Sequence, residues 1–219
     1  MHIPDGFLSP PVWASGWAAT AAFVGLSVRK TRQFLQEKMV PLMGVMCAFI
    51  FAAQMLNFPV MGGTSGHLLG GVLAAVLLGP WAASLVLACV LVIQCLVFQD
   101  GGLFALGANI FNMAVMGTLG GYGLFRVLFR LMPSSRGFTA AVAVAAWFSV
   151  VLASASCALE LALSGTARFG SVFAAMVGVH ALIGIGEAFI TMLVVEFVVK
   201  ARPDLVYGLR ARNLSRLLA

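Results

Sequence analysis

Met1-His2 puts three nitrogens within reach of one ion. The α-amine and the His2 amide nitrogen close a five-membered chelate ring, and that amide nitrogen and the imidazole Nδ1 close a six-membered one. Such a nitrogen set fills three corners of a square, the geometry that suits Ni(II) and Cu(II). The amide must lose its proton, so binding releases protons and weakens at low pH. One more imidazole completes the square. His67 is the candidate, and the plain alternative for it is a helix-end histidine satisfied by a carbonyl. His180 precedes Glu187 by seven residues, on the same face of a helix, and Glu160 is a candidate partner for it. Gln94, Asp100, Asn109, Asn112 and His180 are candidates to orient the ligands from behind. A different chemistry is also open: Ser65, in Gly63-Thr64-Ser65-Gly66, with His180 as its base, would be a nucleophile.

The elements that position these groups follow from composition. Of 219 residues, 62% are hydrophobic and 9% charged, and the mean hydropathy is +1.05. An average soluble domain is about 25% charged. This chain has too little polar surface to clothe a core in water, which excludes a soluble enzyme, a nucleic-acid binder and a disordered protein. An all-α membrane protein is expected, with a single integral domain over 1–219. Seven transmembrane helices are expected at about 11–28, 40–58, 67–79, 81–98, 108–131, 138–163 and 172–199, after an N-terminal loop at 1–10 and before a basic tail at 200–219. With seven crossings, 12 of the 13 Lys and Arg residues fall on one side and only Arg168 on the other. The positive-inside rule makes that side cytoplasmic, so the N-terminus is expected outside and the C-terminus inside. The net charge of +6 is then topological and needs no acidic ligand.

Residues 1–28 hold no Lys or Arg, unlike a cleaved signal peptide, so the N-terminus is expected to be retained. The outward loops carry Gly62-Gly63-Thr64-Ser65-Gly66-His67, Gln99-Asp100-Gly101-Gly102 and Gly107-Ala108-Asn109. Irregular backbone at membrane depth is tolerated where protein buries it or it lines a cavity, so any chemistry is expected on the outer face. Cys47, Cys89, Cys95 and Cys157 sit in apolar runs with no zinc-type spacing and read as core residues. The sequence contains no GxxxxGK[ST], so ATP must act through another chain. No organic cofactor and no enzyme activity of the chain itself are expected. Ala48 with Ala52, and Gly117 with Gly121, are small-xxx-small pairs and so candidates to dock a partner helix.

Four segments together carry a family resemblance. They are Met1-His-Ile-Pro-Asp-Gly-Phe-Leu-Ser-Pro10, Pro59-Val-Met-Gly-Gly-Thr-Ser-Gly-His-Leu-Leu-Gly-Gly71, Asp100-Gly-Gly-Leu-Phe-Ala-Leu-Gly-Ala-Asn-Ile-Phe-Asn-Met113 and His180-Ala-Leu-Ile-Gly-Ile-Gly-Glu-Ala188. The chain resembles, almost end to end, the CbiM/NikM family of substrate-binding components of energy-coupling factor (ECF) transporters for cobalt and nickel. The resemblance implies an N-terminal helix added to the usual fold of such components. It implies that the N-terminal loop tucks into an outer pocket, where Met1, His2 and His67 bind Co2+ or Ni2+ as transported substrate. It also implies partners: a coupling transmembrane protein, cytoplasmic ATPase subunits and often a small accessory membrane protein. No fused accessory segment is expected within the 219 residues. The setting implied is a bacterial or archaeal cytoplasmic membrane. Neighbouring cobalamin genes or a nickel enzyme would discriminate between the metals. Two other readings stay open: a rhomboid-like intramembrane serine protease using Ser65 and His180, and a metal-sensing membrane receptor.

Overall fold

The computed structural model describes residues 1–37, 39–60 and 64–210. Part of the Gly62–His67 loop, Lys38 and the tail beyond residue 210 therefore lie outside the described residues. The chain is mostly helical. Helix α1 spans Pro10–Arg32 and α2 spans Met39–Met55. Strands β1 (Phe58–Val60) and β2 (Thr64–Gly66) then pair antiparallel, Pro59 opposite Ser65. Helices α3 (Gly71–Leu78) and α4 (Pro80–Phe98) follow. The next helical stretch begins as α5 (Leu106–Ile110), passes through a π-helical segment (Phe111–Gly120) and ends as α6 (Gly121–Leu131). Helices α7 (Ser135–Leu163) and α8 (Phe169–Ala201) are the longest, and the short α9 (Tyr207–Arg210) closes the described chain.

Among the described residues, α1, α4, α7 and α8 are long and apolar enough to cross a membrane, and α2 is a shorter apolar helix. Two expected helices are shorter than their apolar runs, and the strands between them depart from an all-α chain. The second helix ends at Met55 rather than 58, because Phe58 precedes a proline and is driven into extended backbone. The third begins at Gly71 rather than His67, because Gly70 takes φ +77, which a right-handed helix cannot contain. That freed segment, 67–70, lies beside the candidate centre. Gly79, at φ +88, separates α3 from α4, and Pro80 starts α4 where its missing N–H costs nothing. Ser134 starts α7 earlier than expected by accepting from the Gly137 N–H at 3.0 Å.

Helix α3 is buried on every side and forms the axis of the molecule. Around it one continuous cluster of buried apolar side chains draws on α2, α4, α5, α6, α7 and α8, and α1 packs against it through the partly buried Val12, Trp13 and Val24. The outward surface is itself apolar. Leu182, Ile185 and Phe197 on α8 are 72%, 62% and 71% exposed, as expected for a surface facing hydrocarbon. Gly117 and Gly121 are not a free docking pair. A Cβ on Gly117 would stand 2.5 Å from Leu69, and one on Gly121 2.6 Å from both Ser149 and Val72, so these glycines let α3 and α7 approach within the chain. Ala48 and Ala52, by contrast, are exposed on α2.

Candidate metal centre

The N-terminal segment threads into the protein. Met1, His2 and Ile3 are 0%, 4% and 0% exposed. A short extended peptide can be buried only if its backbone polar groups find partners. Asn109, on α5, supplies a matched pair: its Oδ1 accepts from the Ile3 N–H at 2.9 Å and its Nδ2 donates to the Ile3 carbonyl at 3.1 Å. That carbonyl also accepts from the Gly102 N–H at 2.9 Å. Two residues on, the Asp5 carboxylate accepts from the N–H groups of Leu103 (2.9 Å), Phe104 (2.8 Å) and Ala105 (3.3 Å), just before α5. Carboxylates are favoured beside such unpaired N–H groups. The approach needs glycine: a Cβ on Gly102 would lie 2.2 Å from the Asp5 nitrogen, and Gly101, facing His2, has φ +93.

This threading brings the chelating nitrogens together. The Met1 amine donates to the Ser65 carbonyl and lies 3.1 Å from Ser65 Oγ. The His2 amide nitrogen and its Nδ1 each lie 3.3 Å from the same Oγ. All three nitrogens thus face one point on β2. The other His2 nitrogen, Nε2, is 3.1 Å from Gln94 Oε1 on α4. Gln94 Oε1 can only accept, so Nε2 carries the proton and the Nδ1 lone pair faces Ser65. Asp100 Oδ1 also stands 3.3 Å from Nδ1, while its Oδ2 accepts from Asn57.

The His67 ring lies 4.6 Å from the His2 ring, centroid to centroid. Its Nδ1–H donates to the Leu68 carbonyl at 2.7 Å. That bond leaves Nε2 a bare lone pair, buried with no hydrogen-bond partner. Burial keeps all these bases neutral. It lowers the α-amine from 8.0 to about 5. It also lowers His2 to about 3, with help from the nearby amine, and pushes His67 well below the usual imidazole range. His2 and Asp100 are therefore a contact between a neutral ring and a carboxylate rather than an ion pair. Among the described residues, no cluster of three or more His, Cys, Asp or Glu side chains could hold a metal ion, so a centre here depends on main-chain nitrogen.

Gln94, Asp100 and Asn109 contact the first three residues or flank them. Asn112 does not: its Nδ2 donates to Glu160 Oε2 at 2.6 Å, so Glu160 pairs with Asn112 and not with His180. His180 Nδ1 donates to the Met176 carbonyl at 2.7 Å, one turn back on its own helix, and its ring lies beside the Ser65 backbone, within electrostatic reach of the Met1 amine and His67. The Ser65–His180 nucleophile is not assembled either. Ser65 Oγ faces Met1 and His2, and His180 Nε2 has no hydrogen-bond partner. Several contributors were not foreseen. Asp5 is of a type that caps helices, but the N–H groups it meets lie 98 to 100 residues on. Gln54 donates to the Leu69 carbonyl at 2.9 Å, and Glu187 accepts from Leu69 and Gly70. Gln54 is marked only by its polarity within an apolar run, and Glu187 by its place on the His180 face, not for this contact.

Known proteins share this arrangement of sequence and fold. The family model described as "Cobalt uptake substrate-specific transmembrane region" matches residues 2–205. A putative metal transport protein of Haloquadratum walsbyi is 45% identical over 209 residues, 94% of each chain. A putative fused nickel transport protein NikMN of Archaeoglobus fulgidus is 42% identical over 208 residues, 94% of this chain and 68% of the relative. Among solved structures, that of a truncated transition metal transporter superposes with a TM-score of 0.87 at 36% identity, covering 92% of this chain and 99% of the other. With four helices of membrane-spanning length and apolarity, this is a membrane protein, and it belongs to the CbiM family of substrate-specific transmembrane regions for cobalt uptake.

Proposed function

We propose that the chain is the substrate-binding membrane component of an ATP-driven ECF importer for divalent nickel or cobalt. The Met1 amine, the His2 amide and imidazole, and the His67 imidazole hold the ion as transported substrate. One observation carries this reading: three nitrogens of Met1-His2 face a single hydroxyl at 3.1–3.3 Å, beside a buried imidazole nitrogen with no other partner. A buried acceptor without a donor is costly unless a ligand satisfies it. Asp100 and the lone pair of His2 Nδ1 are both acceptors, 3.3 Å apart, and a cation between them would turn repulsion into attraction. Relatives add support, the Archaeoglobus fulgidus protein being a putative fused nickel transport protein and another, from Acetoanaerobium sticklandii, a cobalt transport protein CbiM.

In this reading the chain crosses a bacterial or archaeal cytoplasmic membrane seven times, with Met1 outside and the basic tail inside. Neutral ligands need give up only the amide proton when the ion enters. A coupling transmembrane protein and ATPase subunits, with or without a small accessory membrane protein, then supply the work that turns the pocket inward. The exposed small-residue pair Ala48 and Ala52 is the candidate seat for the coupling protein.

Elemental analysis tests the ligand set. Protein whose chain begins at Met1 is expected to carry near-stoichiometric nickel or cobalt, and the same protein with a short N-terminal extension is expected to carry none. Equal metal in both would move the site to side chains. No metal in either, with both ions supplied, would overturn the reading.

A further inference from the structure

The segment 67–70, between β2 and α3, has no regular hydrogen bonding of its own, yet His67 and Leu69 are 1% and 0% exposed. What satisfies its backbone comes from other helices. Glu187, on α8, is 2% exposed and uses both carboxylate oxygens here: one accepts from the Leu69 N–H and the other from the Gly70 N–H at 2.8 Å. From α2, Gln54 Nε2 donates to the Leu69 carbonyl at 2.9 Å. One residue back, the Leu68 carbonyl accepts from His67 Nδ1 at 2.7 Å and fixes which ring nitrogen keeps its lone pair.

Glu187 therefore grips the peptide that orients His67. Both of its oxygens face backbone N–H groups of this segment rather than the nitrogens of Met1, His2 or His67. The geometry points to Glu187 as the positioning residue that holds the fourth nitrogen donor, His67 Nε2, at the metal centre. This rests on the ligand set proposed above. A charged acceptor suits the task because one carboxylate can take two successive N–H groups. Glutamine has one acceptor oxygen, and its amide would turn a donor toward the second N–H.

Nickel titration of the purified full chain beginning at Met1 tests this, read by calorimetry and by the visible ligand-field spectrum. Four proteins are compared: wild type, His67→Ala, Glu187→Gln and the double variant. Glu187→Gln is expected to weaken nickel binding roughly 10- to 100-fold, as for other groups that orient metal ligands. Its spectrum is expected to move toward that of His67→Ala. The double variant should bind like His67→Ala alone, since Glu187 acts only through that ring. Wild-type affinity and spectrum in Glu187→Gln would overturn the role and leave the ligand set standing, and so would a double-variant loss equal to the sum of the singles. Should wild type take up no nickel, or His67→Ala bind as wild type does, the ligand set falls and this role with it. Where Glu187→Gln does not fold, Glu187→Asp keeps the charge one methylene short. A partial loss with the same spectral shift supports the role, and wild-type behaviour overturns it.

Discussion

Two groups of buried polar side chains lie in this protein, and they are built differently. Around His2, atoms from the N-terminus, β2, α4, α5 and the loop after α4 aim at one place, and several remain only partly satisfied. Along α7 and α8 the polar groups are dispersed and mostly settled in pairs. Asn112 pairs with Glu160, Trp147 with the Ala181 carbonyl and Thr139 with Glu196. Paired groups of this kind join helices in an apolar medium. Convergence from many elements on one point, with lone pairs left over, is what the proposed ligand set requires. Two histidines sharpen the contrast within the convergent group: His67 and His180 both donate Nδ1–H to a backbone carbonyl and keep an unpartnered Nε2, but His67 faces the ring of His2 while His180 lies beside the Ser65 backbone.

The largest expected effect divides those two histidines. His67→Ala should weaken nickel binding by more than the ~100-fold that marks the upper range for orienting groups. His180→Ala leaves the proposed ligands intact and should cost far less affinity. Titration of the two variants side by side checks this, and equal losses would erase the distinction between the two.

Next in size is the tether. Asn109→Leu removes both hydrogen bonds to Ile3 and leaves a buried N–H and C=O with fewer partners. Docking of the N-terminal segment should lose about 1–3 kcal/mol, seen as faster hydrogen exchange of the Ile3 amide and a weaker nickel affinity. Loss of affinity with unchanged exchange would mean that Asn109 acts on the ion rather than on the segment.

Acidity should act on the convergent group through its buried amine. The undocked amine titrates near 8.0 and the buried one near 5, so between those values the undocked segment binds more protons. Docking is then complete above 8.0 and is lost as pH falls toward 5. Nickel affinity measured at pH 8 and again at pH 6 should be lower at pH 6.

The smallest effect belongs to the paired group. Glu160→Gln keeps a side chain able to accept from Asn112, so nickel affinity should stay at the wild-type value and thermal stability in detergent should shift only slightly. A large change in affinity would place Glu160 in communication with the centre.

Much of this was legible in the sequence because it depends on local chemistry. The chelating power of an N-terminal Met-His is a property of two adjacent residues, wherever the chain folds. Apolar runs set the helices, since every backbone polar group in hydrocarbon must be satisfied internally. Gly79-Pro80 marked the break between α3 and α4 for equally local reasons. The ends of α2 and α3 were less legible, because apolar character continues past Met55 and begins before Gly71 while the backbone has already turned away.

What only the tertiary structure decided is which polar residues meet. By type alone, Asn109 and Asn112 were equivalent, yet they lie on different sides of the same helical stretch, the first bound to Ile3 and the second to Glu160. Asp5 and Glu187 gave no sign that they would hold backbone N–H groups 98 and 118 residues away. A hydrogen bond requires its atoms within about 3 Å, and nothing in a residue's identity states which distant backbone folding will bring that close. The residues dictated that a terminus rich in donor nitrogens and a membrane-spanning chain would exist; packing around α3 brought that terminus to Ser65 and His67.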